Sequence, residues 1–173
     1  MPAGLNEMIV ESVRVHMLSS QHVVILRDAR RERYLPIWIG PWEANAIAMR
    51  LQGVTPERPM THDLFSQALS DLGVTIRQIV VSDLAEDTFR ARLLLELDGR
   101  TVDVDARPSD AIALAVRTGV PIYATDAVLD RAAVMPDGDD EQKLAPFRDF
   151  VNSLEFDLPG EEGEGSEGRR RLD

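Results

Sequence analysis

Apolar and polar residues alternate along three early stretches of the chain. Met8 to His16 alternates through Val13 and Val15 and predicts a strand. His22 to Leu26 predicts a second and Tyr34 to Ile39 a third, with arginine-rich turn residues 27–33 between them. The period then lengthens. Gly40-Pro41 opens a helix, with proline where a missing amide proton costs little. Ala44, Ile47, Ala48 and Leu51 recur at helical spacing until Gly53. Pro56 to Pro59 predicts a rigid loop. Thr61 is expected to cap a second helix, in which Leu64, Ala68, Leu69 and Leu72 form a buried stripe ended by Gly73.

The same order then recurs. Ile76 to Val81, Thr88 to Leu97 and Thr101 to Asp105 predict three strands, and Ser109 to Thr118 predicts a helix. Pro121 to Ala124 predicts a short strand and Asp126 to Ala133 a further helix. Letters recur as well as elements: Ala46-Ile47-Ala48-Met49 corresponds to Ala111-Ile112-Ala113-Leu114, and Gly53-Val54 to Gly119-Val120. The pattern predicts an α+β domain over residues 1–136, built from a duplicated βββα-type unit. Its halves span about 8–73 and 74–135, longer than solenoid repeats, so they are expected to pack as one body with a mixed or antiparallel sheet and flanking helices.

Beyond Met135 the character changes. Residues 137–156 predict a loop and a docking helix carrying Phe147, Phe150, Val151 and Leu154. From 157 onward Gly and Glu predominate before a terminal Arg-Arg-Arg, a composition that builds no core and predicts disorder.

Charge sharpens this division. The net charge is −11, and residues 137–173 hold 12 acidic and 5 basic side chains. Arginine supplies nearly all the basic residues, with Lys143 the one lysine. An acidic chain gains no long-range attraction to nucleic acid, so any contact must come from local arginines. The absence of cysteine excludes disulfides, thiolate metal sites and a cysteine nucleophile. No apolar run approaches the roughly 20 residues of a membrane span, and Met1 to Glu11 lacks the pattern of a signal peptide. A cytoplasmic protein with no membrane partner is expected.

One corner concentrates chemistry. In Thr101-Val102-Asp103-Val104-Asp105 the valines share one strand face and the aspartates the other. Pro108 keeps Arg107 out of helical geometry, Ser109 is expected to cap the next helix, and Gly119 to end it. The corner belongs to a longer set of motifs. These are Leu35-Pro36-Ile37-Trp38-Ile39-Gly40, Glu43-Ala44, Arg58-Pro59-Met60-Thr61-His62-Asp63-Leu64, Asp83-Leu84, Thr88-Phe89, Asp105-Ala106-Arg107-Pro108-Ser109-Asp110-Ala111-Ile112-Ala113-Leu114 and Pro121-Ile122-Tyr123. Together, over roughly residues 8–135, they resemble the bifunctional nuclease family. That resemblance implies an α+β domain, often a homo-oligomer, that degrades DNA and RNA. Some members carry a helical interaction module at the C-terminus, where this chain has its acidic tail.

Phosphodiester cleavage needs an activated oxygen nucleophile, charge stabilisation at phosphorus and help for the leaving oxygen. Mg²⁺ or Mn²⁺ held by carboxylates supplies all three. The candidate metal ligands are Asp105, Asp110, Glu43 and Asp63. Glu43 and Asp110 start corresponding helices, which would let both corners face one groove. Arg58 and Arg107 suit phosphate, and His62 suits general acid–base work. With Asp105 and Asp110, these make the catalytic candidates.

Each also has a structural reading. First-turn acids offset a helix dipole, Arg107 between two aspartates pins a corner, and His62 beside Thr61 belongs to a cap. His16 and His22 read as surface or cross-strand residues, and Trp38 and Trp42 as core or subunit contacts, with base stacking as their other use. The competing functional class is a non-enzymatic module that binds an anion or a protein partner in the groove between halves, which the acidic balance favours.

Overall fold

The computed structural model describes residues 4–16 and 18–136 in full, and the backbone of 154–155. Three strands come first: β1 (Leu5–His16), β2 (Gln21–Asp28) and β3 (Tyr34–Ile39). They form an antiparallel meander, followed by helices α1 (Pro41–Leu51) and α2 (Thr61–Asp71). A second antiparallel meander follows, β4 (Thr75–Ala85), β5 (Thr88–Leu97) and β6 (Arg100–Ala106), and then α3 (Pro108–Thr118). The chain continues through β7 (Ile122–Thr125) and α4 (Asp126–Ala132). The strand order is β3-β2-β1-β7-β4-β5-β6, with the two-residue β8 (Leu154–Glu155) paired to the end of β1.

The four-residue β7 joins the two meanders. It runs antiparallel to Leu5–Met8 of β1 and parallel to Ile79–Val81 of β4. The sheet is therefore mixed, with this one parallel pair. The chain is α+β, as the sequence pattern predicts. Each meander leads into a helix with proline at its start, but the continuations differ. After α1 comes a helix, and after α3 comes the joining strand. The predicted docking helix and tail lie outside the described residues, apart from the Leu154–Glu155 backbone.

The core is one cluster drawn from both meanders and from α1, α3 and α4. α1 lies on β1 and β2, α3 lies on β4 and β5, and the two helices lie against each other. Ala111 through Ala115 are all buried, so α3 is enclosed on nearly every side. Its alanines, facing a buried Ala46 and Ile47 on α1, let the two helices approach closely. Gly119 at φ 73° ends α3 in the left-handed conformation that glycine adopts without steric cost.

Three sequence expectations are corrected. Ser109 does not cap α3; Arg107 occupies that position and Ser109 lies buried inside the first turn. Thr61 is likewise the first helical residue of α2, and Met60 precedes it. The stripe expected to bury α2 is largely exposed: Leu64 is 62% and Leu72 is 74% exposed, and only Leu69 packs against the core. Helical periodicity identified the helix but could not say whether anything lay over its apolar face.

The arginine-rich turn hides a structural ion pair. Asp28 and Arg33 are both buried, and Arg33 Nε donates to Asp28 Oδ2 at 2.7 Å. Arg33 Nη2 also donates to Asn6 on β1 at 2.9 Å, and the Arg30 amide donates to Asp28 at 2.8 Å. Burial pushes the Asp28 carboxyl up, but the Arg30 amide and Arg33 outweigh it and hold it below the usual value. Removing one partner strands the other charge away from water. We expect Arg33→Met to lose about 3–5 kcal/mol in urea unfolding. The double variant Asp28→Leu with Arg33→Met should lie closer to wild type than Arg33→Met alone.

Candidate functional site

A cleft of about 550 Å³ opens where the N-terminal ends of α1 and α3 meet the sheet. One wall comes from the Ser20–His22 turn and from Trp38–Pro41; the other from Asp87–Phe89 and Arg107–Ser109. The close approach of α1 and α3 brings their first turns to this one opening. Gly40 and Arg107 occupy the N-cap positions, and neither helix receives a side-chain cap. Proline at the first position of each removes one orphan amide, and the positive dipole ends of both helices lie at the opening.

Arg107 couples the two helices. Its Nε donates to Asp110 Oδ2 at 2.8 Å, and its Nη2 donates to Glu43 Oε1 at 2.7 Å. Asp110 and Glu43 occupy the same position in the first turns of α3 and α1. The groove shared by corresponding residues is thus present, with the guanidinium as its bridge. Gly40 makes room for this arrangement, because a Cβ there would collide with the Glu43 carboxylate. The Arg107 side chain is 66% exposed. Two of its five donors are engaged by these carboxylates, which leaves three available for a ligand.

The network continues to His62 on α2, whose Nε2 lies 2.9 Å from Asp110 Oδ1. His62 is mostly buried and Asp110 half-buried. Burial pushes the Asp110 carboxyl up, but hydrogen bonds from Arg107 and His62 overcome this and hold it below the usual carboxylate value. The same two carboxylate bonds hold Arg107 more firmly protonated than a free guanidinium, Asp110 contributing most.

The other candidates lie apart from this chain of contacts. Asp63 takes the Met60 amide at 2.9 Å and Arg117 Nε at 2.7 Å. Arg117 also donates to the carbonyls of Ala113 and of Ala46 on α1, so it ties the far end of α3 to both other helices. Burial pushes Asp63 up, and the Met60 amide and Arg117 bring it below its usual value. Asp105 is on the opposite strand face from Val104 and Ala106, which pack on the core. It is 73% exposed and lies 3.7 Å from Arg92, which also pairs with Asp103. Arg58 is exposed in the loop before α2 and makes no hydrogen bond among the described residues.

The four carboxylates named as metal ligands are thus distributed over three arginines. Asp110 and Glu43 meet only through Arg107. Among the described residues no three His, Asp or Glu side chains group closely enough to hold a metal ion. Among the described residues the carboxylates therefore form no all-protein cage for Mg²⁺ or Mn²⁺.

Several cleft residues were not among the sequence candidates. Trp38 and Trp42 are 53% and 82% exposed, so they are not core residues. Trp38 and Phe89 line the cleft. His22 lies where the cleft adjoins a recess of about 300 Å³ beneath α1, and its buried Nδ1 has no hydrogen-bond partner among the described residues. The signal available in the sequence was the pair of tryptophans around Gly40-Pro41, the two indoles of an aromatic-poor chain placed at a helix start. The hairpin tip opposite is Glu86-Asp87, with positive φ of 49° and 60°. A two-residue loop between twisted strands demands that conformation, although neither residue is glycine.

Asp110 titrates lower in the folded chain than in the unfolded one, so its interactions favour the fold above the ordinary carboxylate range and are lost as the pH falls through the depressed folded value. We expect Asp110→Asn to flatten the acid limb of stability, read by urea unfolding at steps from about pH 6 to pH 2.

Comparison with known proteins places these features in a family. Residues 24–137 match the model of the bifunctional nuclease domain. An uncharacterized protein of Mycobacterium tuberculosis strain H37Rv is 42% identical over 162 residues, 88% of this chain and 97% of that relative. Bifunctional nuclease 1 of Oryza sativa subsp. japonica is 23% identical over 148 residues, 83% of this chain and 43% of the rice protein. Bifunctional nuclease 2 of the same plant is 26% identical over 106 residues, 59% of this chain and 33% of that protein. The chain spans less than half of either rice protein. Both first turns, the Arg107 bridge and the strands that carry them fall inside the matched segment, and the chain belongs to the bifunctional nuclease domain family.

Proposed function

We propose that this protein hydrolyses phosphodiester bonds of DNA and RNA, with the scissile phosphate seated at Arg107. The observation that carries the reading is the convergence of Arg107 and two uncapped helix starts on one cleft. Backbone amides, helix dipoles and a guanidinium all favour an anion there. The first-turn carboxylates oppose it, but they meet Arg107 where its side chain is exposed. Arg107 is mostly exposed, whereas the Glu43 side chain is mostly buried and Asp110 half-buried, so the pairs are anchored on the carboxylate side. Glu43 and Asp110 orient the guanidinium, and its remaining donors are the ones that meet a phosphate.

In hydrolysis a water oxygen bonds to phosphorus as the bond to the leaving oxygen breaks. One proton leaves the water and one reaches the leaving oxygen. Negative charge grows on the nonbridging oxygens, where Arg107 and the two helix ends act. Proton transfer is assigned to His62, which does not itself line the cleft and reaches it through Asp110, its positioning residue and its link to Arg107. No step is routed through a metal ion, because the carboxylates do not converge. Self-association belongs to the same reading, and sedimentation of the purified protein tests it. The descent of both halves from one βββα unit is likewise proposed, on the recurrence of letters and of element order.

The alternative is a module that binds an anion or protein without turnover, favoured by the acidic balance of the chain. Degradation of DNA and RNA by highly purified protein, with Mg²⁺, with Mn²⁺ and with chelator, separates the two. We expect His62→Ala and Asp110→Asn to lose about 10²–10⁴-fold in rate, the usual contribution of a positioned acid–base group. Arg107→Gln should lose activity too, while Asp105→Asn should match wild type. Folding of each variant is checked by thermal unfolding. Binding without turnover in the wild type would establish the module instead. Loss of turnover in chelator would return the chemistry to a metal.

A further inference from the structure

The cleft is rich in aromatic surface and poor in charge. Trp38 and the half-buried Phe89, which also packs on the core, line it, and Arg107 is the one arginine or lysine among its lining residues, with Asp87 at the rim. Trp42, one residue beyond Pro41, is 82% exposed beside it. An isolated exposed apolar side chain needs no explanation. Here both indoles of the chain flank one proline at the mouth of one cleft.

Charge decides what such a cleft can take. Proteins that grip duplex DNA typically neutralise about 6–10 phosphates with lysine and arginine. A chain of net charge −11 with a single cation in its cleft has no such means. Stacking of a base on an aromatic side chain contributes about 1–3 kcal/mol per base and is indifferent to protein charge. It requires an exposed base face. In a duplex both faces of each base are covered by its neighbours, and extruding one costs a few kcal/mol. A cleft of about 550 Å³ also has the size of a small-ligand site, enough for one nucleotide at a time.

We infer that the substrate is unpaired nucleic acid, with a base stacked between Trp38 and Phe89, the next base on Trp42, and the intervening phosphate at Arg107. This rests on the nuclease reading of the cleft and specifies its substrate class as single-stranded DNA and the loops or ends of RNA. Selectivity comes from the exposed faces of bases, so it is tolerant of sequence. The Glu86-Asp87 hairpin tip bounds the cleft opposite the tryptophans and sets how much of a strand enters.

The test is fluorescence anisotropy with three labelled probes: oligothymidylate, the same strand with abasic sites, and oligothymidylate paired to oligoadenylate. Each is titrated with wild type, Trp42→Ala, Trp38→Leu and Arg107→Gln, after circular dichroism confirms folding. We expect the single strand to bind at least about 10-fold more tightly than the duplex or the abasic strand. Trp42→Ala should weaken the single strand about 10-fold and leave the abasic strand unchanged, a split that a purely electrostatic or structural role would not produce. Quenching of indole fluorescence by the single strand should be reduced in the same variant.

Equal binding of the duplex, or of the abasic strand, would overturn the inference while leaving a phosphate site at Arg107 standing. If Arg107→Gln changes nothing but the tryptophan variants do, stacking survives and the proposed phosphate seat fails. If no probe binds, both fail. If Trp42→Ala changes sedimentation without changing affinity for the single strand, the tryptophan belongs to a contact between copies and the inference falls.

Discussion

A single guanidinium fixes the geometry on which the candidate site depends. Arg107 ends the loop after β6, precedes the first turn of α3, and holds a carboxylate from each of two helices at hydrogen-bond distance. At the other end of the same helix Arg117 binds Asp63 on α2 and the Ala46 carbonyl on α1. α3 is thus tied at both ends to its neighbours, and its alanine-rich middle allows the close packing that makes both ties reach. The two arginines differ in environment. Arg117 is almost fully buried and its bonds are structural, whereas Arg107 is mostly exposed and can exchange partners. That difference separates the end of α3 that holds the helices together from the end that faces a ligand.

Much of this arrangement could be read from residue order. Period-two alternation located the strands, and Tyr34–Ile39 and Thr88–Leu97 have the same limits in the structure. Pro41 marked the start of α1, Pro108 marked the end of β6 with the helix expected from Ser109, and Glu43 and Asp110 were expected at one groove. What local pattern cannot supply is which face of an element is covered. Asp105 alternates with Val104 as expected, yet it faces away from the helices and pairs with Arg92 on the neighbouring strand. The stripe on α2 has helical spacing but no element above it among the described residues. The same limit left Trp38 and Trp42 open between a core, a subunit contact and base stacking, and their exposure removes only the first.

Residues distant in sequence explain the rest. Asp28 and Arg33 are five positions apart and resemble an ordinary charged turn. In the structure they form a buried pair to which Asn6 on β1 adds a further partner. His62 gains its role through Asp110, which is 48 residues away. Neither contact leaves a local signature: the first depends on how β1 lies against the turn after β2, the second on how α2 lies against α3.

The short β7 has a consequence for the life of the chain before it is complete. β1 emerges from the ribosome early, but the strand that covers Leu5–Met8 is made of residues 122–125. At typical synthesis rates the interval is on the order of ten seconds. Throughout it, one edge of the first meander is an open row of amides and carbonyls, ready to pair with any extended segment, including β1 of a neighbouring nascent chain. The first half can form its own hairpins during synthesis but cannot close its sheet. Closure at Leu5–Met8 waits for a four-residue strand from near the end of the matched domain, so the two meanders are joined late and by a short piece.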